Sequence, residues 1–493
     1  MLSPSKISIK VAQAILVVIL GMTSRTPAQE LEISGSPTPV GSGARAAGMA
    51  DAFVAIADDA TAASWNPAGL VQLERPELSI VGSYTGLLEE FAAIAHPEVD
   101  SLHRAGKLDL NYLSIVYPLP SPVLGRNVCL SLNYQQKYDF SRRFRLRYNQ
   151  AVHASTGGVF ESQLDMAFEQ EGGLSTITPA CAFEITPQLS LGMSLNLWRS
   201  SFLSDNGWQQ MTHSDMMVQS EGEVGRTLVD RIENYGDFEG ENLTVGALWN
   251  ITDRWSLGAR YDTPFTAHAA FSSLSRKLEQ QLVVSYVEEK RSLRFPPTVA
   301  IGTAYRVNDR LTLSFDVTRT DWNEFFFRDA QGNRYSLVDA STLDDPSQSS
   351  HFDPTTTIRL GTEYVFIPTK RGISKKLRGQ LVRGEDLGEV MERPTLKYLW
   401  TLRGGVFYDE EPASGKSNNN VAIVSASRGS GRPDRFYGLA LGCGLLAHQR
   451  VNIDVAYQFR FGQGVNRDFI RGLSGFSEDV LQHRFLISTV IYF

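Results

Sequence analysis

From residue 77 onward the chain alternates apolar and polar residues with a period of two. Residues 451–461, VNIDVAYQFRF, place Val451, Ile453, Val455, Tyr457, Phe459 and Phe461 on one face and Asn452, Asp454, Gln458 and Arg460 on the other. LSLGMSLNL (189–197), LTLSFDV (311–317) and VCLSLNY (128–134) alternate in the same way. Successive side chains of a strand point to opposite sides, so the pattern predicts strands with one apolar and one polar face. About fourteen such segments occur, at 77–84, 108–117, 127–140, 174–185, 188–202, 242–251, 254–271, 291–307, 311–327, 355–367, 396–409, 435–446, 451–461 and 483–493. The connections at 186–188, 252–254, 308–310 and 448–450 are very short, whereas 86–107, 203–240, 328–354, 410–434 and 463–481 are long and polar. Tight turns at one end and elaborate loops at the other are the plan of an antiparallel barrel, and an even strand count lets it close.

Alternation alone leaves open which face points outward. Many segments reach ten residues, enough for a tilted strand to cross a bilayer. Aromatic residues collect near strand ends (Tyr117, Tyr138, Phe140, Trp322, Phe325, Phe326, Tyr408, Phe436 and Tyr437), where interfacial girdles sit, and the last strand ends on Phe493. Lipid offers no hydrogen-bond partner, so a closed barrel is the viable all-β solution. The expectation is an all-β, 14-stranded antiparallel transmembrane barrel over 77–493, with its apolar face to lipid.

The first 76 residues are different. Lys6 and Lys10 precede or enter the apolar run VAQAILVVILGM, and the small-residue site Thr26-Pro27-Ala28 follows. This is the order of a secretory signal over 1–28, too short to span a bilayer. Half of residues 41–70 are Ala or Gly (15 of 30), which disfavours a strand and suits close packing. Asp58 and Asp59 precede a short alanine-rich stretch and are read as a helix cap. Asn66-Pro67 forms a corner, because proline donates no amide and drives its predecessor extended. Residues 29–76 are therefore expected to form a partly helical plug inside the barrel.

At these residues a family resemblance enters. GARAAGMADAFVAIADDATAASWNPAGLVQL resembles the N-terminal signature of the FadL/TodX family, outer-membrane transporters of long-chain fatty acids and aromatic hydrocarbons. FPPTVAIGTAYRVNDRLTLSFDVTRTDWNEF (295–325), with Gly302, Tyr305, Arg306, Asp316 and Trp322, and LRGGVFYDEEPA (402–413) are similar to further family patterns. The resemblance implies a barrel closed by an N-terminal hatch, with Asn66, Pro67 and Ala68 as the hatch turn. It also implies hydrophobic substrates that bind first at extracellular loops, then near the hatch, and leave sideways through the barrel wall. A single barrel embedded among outer-membrane lipid and lipopolysaccharide is implied, with no cofactor. The rival from another class is a non-transporting barrel that assembles or anchors surface proteins.

Candidate capture residues lie in two of the long connections. Leu87, Leu88, Phe91 and Ile94 fall on one face of a possible helix, and Trp208, Met211, Met216 and Met217 supply adaptable apolar surface. The same side chains could simply pack the loops together. Eight acids in 203–240 against Arg226 and Arg231 argue for an acidic mouth that would repel carboxylates. Residues 368–395 are basic and fall on the short-turn side by strand parity. A net charge of −7 disfavours nucleic acid as a partner. Cys129, Cys181 and Cys443 are widely spaced and read as free thiols. Clustered Cys/His spacing, a Gly-x-Ser-x-Gly elbow and a phosphate loop are all missing from the sequence, which favours a non-enzyme.

Overall fold

The computed structural model describes residues 41–153, 159–220, 223–336, 353–367, 397–412, 433–467 and 475–493. The expected signal segment 1–28, residues 29–40 of the expected plug and the whole basic segment 368–395 lie outside these residues. Among them, twenty strands hydrogen-bond into one sheet. In chain order they begin with β1 (Glu77–Ala93), β2 (Ser101–Pro118), β3 (Val128–Asp139), β4 (Arg142–His153), β5 (Val159–Thr186), β6 (Leu189–Trp198) and β7 (Gly207–Ser220). There follow β8 (Glu223–Thr252), β9 (Trp255–Asp262), β10 (Phe265–Leu278), β11 (Leu282–Phe295), β12 (Thr298–Asn308), β13 (Leu311–Thr320) and β14 (Phe326–Arg328). The last are β15 (Arg334–Ser336), β16 (Thr355–Phe366), β17 (Tyr398–Glu411), β18 (Asp434–Ala447), β19 (Val451–Val465) and β20 (Phe476–Tyr492).

Fourteen of these close the barrel in the order β1, β2, β3, β5, β6, β8, β9, β12, β13, β16, β17, β18, β19, β20, each antiparallel to the next. β20 returns to β1 and pairs with it from Glu77↔Tyr492 to Ala93↔Phe476. All fourteen alternating segments therefore contribute a barrel strand. Three of them are cut in two. Thr263-Pro264 separates β9 from β10, Pro296-Pro297 separates β11 from β12, and a turn at Asp321–Phe325 separates β13 from β14. Proline cannot donate to a ladder, so the barrel strand stops there.

The remaining strands correct the reading of the long connections as loops. β5 and β8 run on past the barrel, and their N-terminal halves join β4, β7, β10, β11, β14 and β15 in a second sheet above the rim. The helix expected near 86–94 is likewise strand, because β1 stays paired with β2 from Gly82↔Leu110 up to Phe91↔Ser101. Leu87 and Phe91 are four residues apart, a spacing that fits one helix face and one strand face equally well. The tight turns and the Pro76–Phe493 contact lie at the opposite end of the barrel, which is the periplasmic end of such proteins.

Burial follows the period of two. On β19, Asp454, Ala456, Gln458 and Arg460 are buried in the lumen while Ile453 and Val455 are exposed. On β20, Leu486, Ser488 and Val490 face in, and Phe485, Ile487 and Ile491 face out. Outward Trp249, Trp255, Tyr305, Tyr398 and Trp400 crowd the tight-turn end, and Tyr84, Tyr261, Tyr437 and Phe485 sit on the outer surface further up. The girdle assignment needs correction for several residues. Tyr117 and Tyr437 are exposed on the outside, whereas Phe140, Trp322 and Phe325 are buried inside in one aromatic cluster and Phe436 is buried against Val465 and Val480. The cysteines are free thiols.

An arginine in the middle of the outer band should be expensive. Leu441 is 63% exposed on β18, and Leu441→Arg should destabilise the barrel by about 2–4 kcal/mol in urea titrations into bilayers. A loss near zero would mean that this face does not meet hydrocarbon.

Candidate functional site

Residues 41–73 occupy the lumen and are almost wholly buried. Small side chains allow this: two short helices, Ala44–Gly48 and Ala62–Trp65, and a 3-10 turn, Pro67–Gln72, are built mostly of Ala and Gly. Such a segment leaves backbone groups that neighbouring β-ladders cannot satisfy, and each needs a partner. The inward polar residues of the strands supply them. Gln458 donates to the Ala47 carbonyl at 3.1 Å, Ser114 to Ala60 at 3.1 Å, Ser194 to Ala63 at 3.1 Å and Ser190 to Ala68 at 3.0 Å. In the other direction, the amides of Phe53 and Val54 donate to one carboxylate oxygen of Asp316 at 2.6 and 2.8 Å.

Asn66 is the corner where these contacts converge. Its amide nitrogen donates to the Val54 carbonyl at 2.9 Å and to the Ala247 carbonyl of β8 at 3.0 Å. Its side-chain oxygen accepts the Ala68 amide at 3.2 Å, and Pro67 opens the 3-10 turn. One side chain thus joins two parts of the segment to the wall. Asp58 and Asp59 behave differently from the expected pair of caps. Thr61 occupies the cap position of the second helix. Asp59 accepts from the Thr61 amide and hydroxyl at 2.8 and 2.6 Å, just ahead of the helix. Asp58 makes no cap; it pairs with Arg45 at 2.5 Å.

The wall also makes room. Gly192 on β6, Gly246 on β8, Gly258 on β9, Gly302 on β12, Gly361 on β16, Gly405 on β17 and Gly442 on β18 all face the segment. Added Cβ atoms would overlap Pro67 from Gly192, Asn66 from Gly246, the Val54 carbonyl from Gly258 and the Met49 carbonyl from Gly361. Three of these pairs lie opposite one another on adjacent strands, Gly192↔Gly246, Gly258↔Gly302 and Gly361↔Gly405. The result is a groove of bare backbone around one side of the lumen, into which the segment settles. Glycine inside a strand marks such close approach.

Charges lock the same contact. Arg45 binds Glu363 through two bonds of 3.0 Å, and Arg403 binds Glu363 and Asp454 at 2.6 Å each. Asp58, Arg45, Glu363, Arg403 and Asp454 therefore alternate in sign from the segment across β16 and β17 to β19. Arg403, Glu363 and Asp454 are buried, so removing one member strands its partners in a poorly solvated site, typically a loss of about 3–5 kcal/mol.

Above the segment lies a cavity of about 140 Å³. Leu87, Phe407, Phe436 and Val480 give it an apolar side. Lys107, Arg142, Arg359, Arg460 and Arg484 line it together with acids from the wall and with Asp51 from the segment. Most of the cations are already paired. Arg460 is held by Asp409 and Glu411 at 3.3 and 2.8 Å, and Arg142 by Glu89 and Glu478 at 2.9 and 2.7 Å. Two are not. Among the described residues Arg484 bonds only the Gly41 carbonyl, at 2.8 Å, and its buried Nε has no partner there. Arg359 has no hydrogen bond or ion pair to any described residue.

The expected capture residues divide between faces. Trp208 and Met216 point inward on β7, and Met211 and Met217 point out. Trp208 belongs to a packed aromatic cluster at the barrel mouth, stacked on Tyr235 at 4.5 Å and against Phe140 at 4.9 Å. Phe91 sits in a second cluster with Phe144 and Phe476, Leu87 turns into the cavity, and Ile94 is exposed. Leu88 points the other way from Leu87 on the same strand. These residues do not form one surface. The acids of the 203–240 segment are also split between faces: Asp215 and Asp230 lie outside, away from the lumen. Sequence reasoning missed the glycine groove, Arg359 and Arg484. The available signal was their phase, since each occupies a lumen position of an alternating strand.

The fold and lumen define an outer-membrane β-barrel filled by its own N-terminal segment. Residues 166–369 match the sequence model of the outer membrane protein transport protein family, OMPP1/FadL/TodX, which bears out the family resemblance; these are transport proteins, not enzymes. A FadL homologue from Pseudomonas aeruginosa has the same fold over 93% of this chain and all of its own, with a TM-score of 0.52 at 15% identity. The toluene transporter TodX of Pseudomonas putida matches 93% of this chain and 100% of its own, with a TM-score of 0.51 at 13% identity. No curated protein matches significantly in sequence.

A side chain in the groove should unseat the corner. Gly246→Leu is expected to raise single-channel conductance in planar bilayers from nearly closed to open, with the barrel still assembled. Gly404→Leu, which meets no atom of the segment, should conduct like the parent.

Proposed function

We propose that the protein imports hydrophobic small molecules across the outer membrane, with residues 29–76 acting as a hatch and Asn66, Pro67 and Ala68 as its turn. Substrate is taken up at the outer sheet, moves to the cavity above the hatch, and leaves sideways through the wall. The observation that carries this reading is the filled lumen. A channel for hydrophilic solutes needs a watery bore, and here the bore is occupied by a bonded, close-packed segment. A barrel that only anchors surface proteins has no use for a cavity held above such a seal.

The cavity supports an amphipathic acid, such as a long-chain fatty acid, over a neutral hydrocarbon. Arg359 and Arg484 offer unused donors to a carboxylate, and the side formed by Leu87, Phe407, Phe436 and Val480 suits the first methylenes of a chain. Each methylene that leaves water gains about 0.8 kcal/mol, so a tail prefers this path to an aqueous one. Capture at the mouth falls to the exposed outer sheet, because Trp208 and Phe91 are committed to their own clusters.

Two outcomes are expected from uptake assays in cells that depend on this barrel. Replacing Asn66 and Pro67 with alanine should lower the import of radiolabelled oleate while the barrel assembles normally; parental uptake would remove the turn from gating. Replacing Arg359 and Arg484 with methionine should raise the half-saturating oleate concentration about tenfold, in line with the loss of a charge-assisted bond, and leave toluene unaffected. Equal effects on both compounds would argue against a carboxylate anchor.

A further inference from the structure

Outside the lumen, two groups of arginines stand above the lipid-facing band, and they differ in their partners. Arg143, Arg145 and Arg147 on β4 are exposed, but each is bound by a carboxylate of β5, Arg143 by Glu169 and the other two by Asp165. The second group lies above β12 and β13. Leu293 and Phe327 are buried in the aromatic cluster of the mouth, so their strand neighbours Arg294, Phe326 and Arg328 turn to the outer surface. Register sets Arg294 opposite Phe326 and Arg328 opposite Arg334. The guanidinium groups of Arg334 and Arg328 lie 4.4 and 5.5 Å from the centre of the Phe326 ring. Lys290 is exposed on the same face of β11. Glu324 meets Arg294 at 3.5 Å with 46% of its side chain exposed, so that contact is screened and weak.

The place of this group in the wall matters as much as its charge. Toward the mouth, the outward residues of β13 run Leu313, Phe315 and Val317 before Arg319, and those of β18 run Leu441, Leu439 and Tyr437 before Arg435. On β12 they run Tyr305, Ile301 and Val299, and Arg294 follows beyond the Pro296-Pro297 break. Arginine is thus the first charge past the apolar band on all three lines. Glu410 of β17 is engaged by the Thr356 amide and the Tyr408 hydroxyl, which donate to it at 2.8 and 2.7 Å. Elsewhere the sign reverses: on β20 and β1 the first outward charges are Asp479 and Glu90, which face each other.

We propose that Arg294, Arg328 and Arg334, grouped around Phe326, bind a phosphate of an outer-leaflet glycolipid, the lipid A part of lipopolysaccharide. Basic side chains at the edge of the hydrocarbon band are placed to meet lipid headgroups. A guanidinium offers two parallel N–H groups to phosphate oxygens and binds them as a fork. Stacking on Phe326 fixes the Arg328 and Arg334 side chains and leaves their edges for hydrogen bonds. Like charges brought this close repel one another, and an anion between them turns repulsion into attraction. The β4 row does not suit a phosphate, which would have to displace Asp165 and Glu169 there. The barrel thereby has one flank that prefers phosphorylated lipid. This inference is independent of what the barrel carries, and the transport reading stands or falls separately.

The test uses the full-length protein, purified in detergent and stripped of lipid, with bisphosphorylated lipid A as probe and native mass spectrometry as readout. R294Q/R328Q/R334Q should weaken lipid A binding about tenfold or more, in line with the loss of charge-assisted bonds. R143Q/R145Q/R147Q, with the same change in charge, should bind like the parent. Heat-modifiable mobility verifies assembly of both. A third measurement needs no variant: lipid A freed of its phosphates should bind the parent about tenfold more weakly, for the same reason. Equal affinity of the parent for the two forms of lipid A overturns the proposal. An equal loss in the two triple variants also overturns it, because net charge would then be the cause. Inorganic phosphate in large excess should leave the lipid in place; full displacement would assign the site to free phosphate and overturn the lipid reading.

Discussion

A non-β segment inside a closed barrel must find a partner for every backbone group it buries, and it must come close enough to the wall to do so. The rest of this structure depends on meeting both demands at once. Seven lumen glycines bring bare backbone to within contact distance of residues 48–68. The serines, asparagines, glutamine and aspartate beside them supply the donors and acceptors that strands cannot. Either feature alone would fail. Glycines without polar neighbours would bury unsatisfied carbonyls, and polar neighbours without glycines would hold the segment too far away.

The same geometry explains how charge is distributed. Where the segment touches the wall, cations and anions are matched in a chain from Asp58 to Asp454, because an unpaired charge there has no water to turn to. Above the segment matching is incomplete, and Arg359 and Arg484 keep donors in reserve. The lumen thus divides into a lower layer, in which Asp58, Arg45, Glu363, Arg403 and Asp454 hold the segment to the wall, and an upper cavity, in which Arg359 and Arg484 remain available among the described residues. Aromatic clusters at the mouth stiffen the outer sheet and leave the cavity as the place where an unoccupied donor meets apolar wall.

Much of this was legible from residue order. Each of the fourteen alternating segments became a barrel strand, and the outward set on β19 was the apolar set read from VNIDVAYQFRF. Errors arose where two periods coincide or where an end has two sides. Leu87 and Phe91 satisfied a helix and a strand alike, and only the pairing of β1 with β2 decided between them. Phe140 and Trp322 lie near strand ends as girdle residues do, but they turn inward, because the strands above the rim fold into a second sheet with its own core, and Phe436 turns inward to the cavity wall beside Val465 and Val480. For the same reason Trp208 and Met211, three residues apart, ended on opposite faces.

The linear chain determined the barrel, its strand number, its lipid-facing side and the corner at Asn66-Pro67, since a period of two and a proline act through neighbouring residues alone. Three-dimensional pairing decided what the sequence could not express: which glycines share a belt, which arginines keep a free donor, and which gather around Phe326. Those properties depend on partners from strands far apart in the chain, and a residue's local pattern carries no record of who stands opposite it.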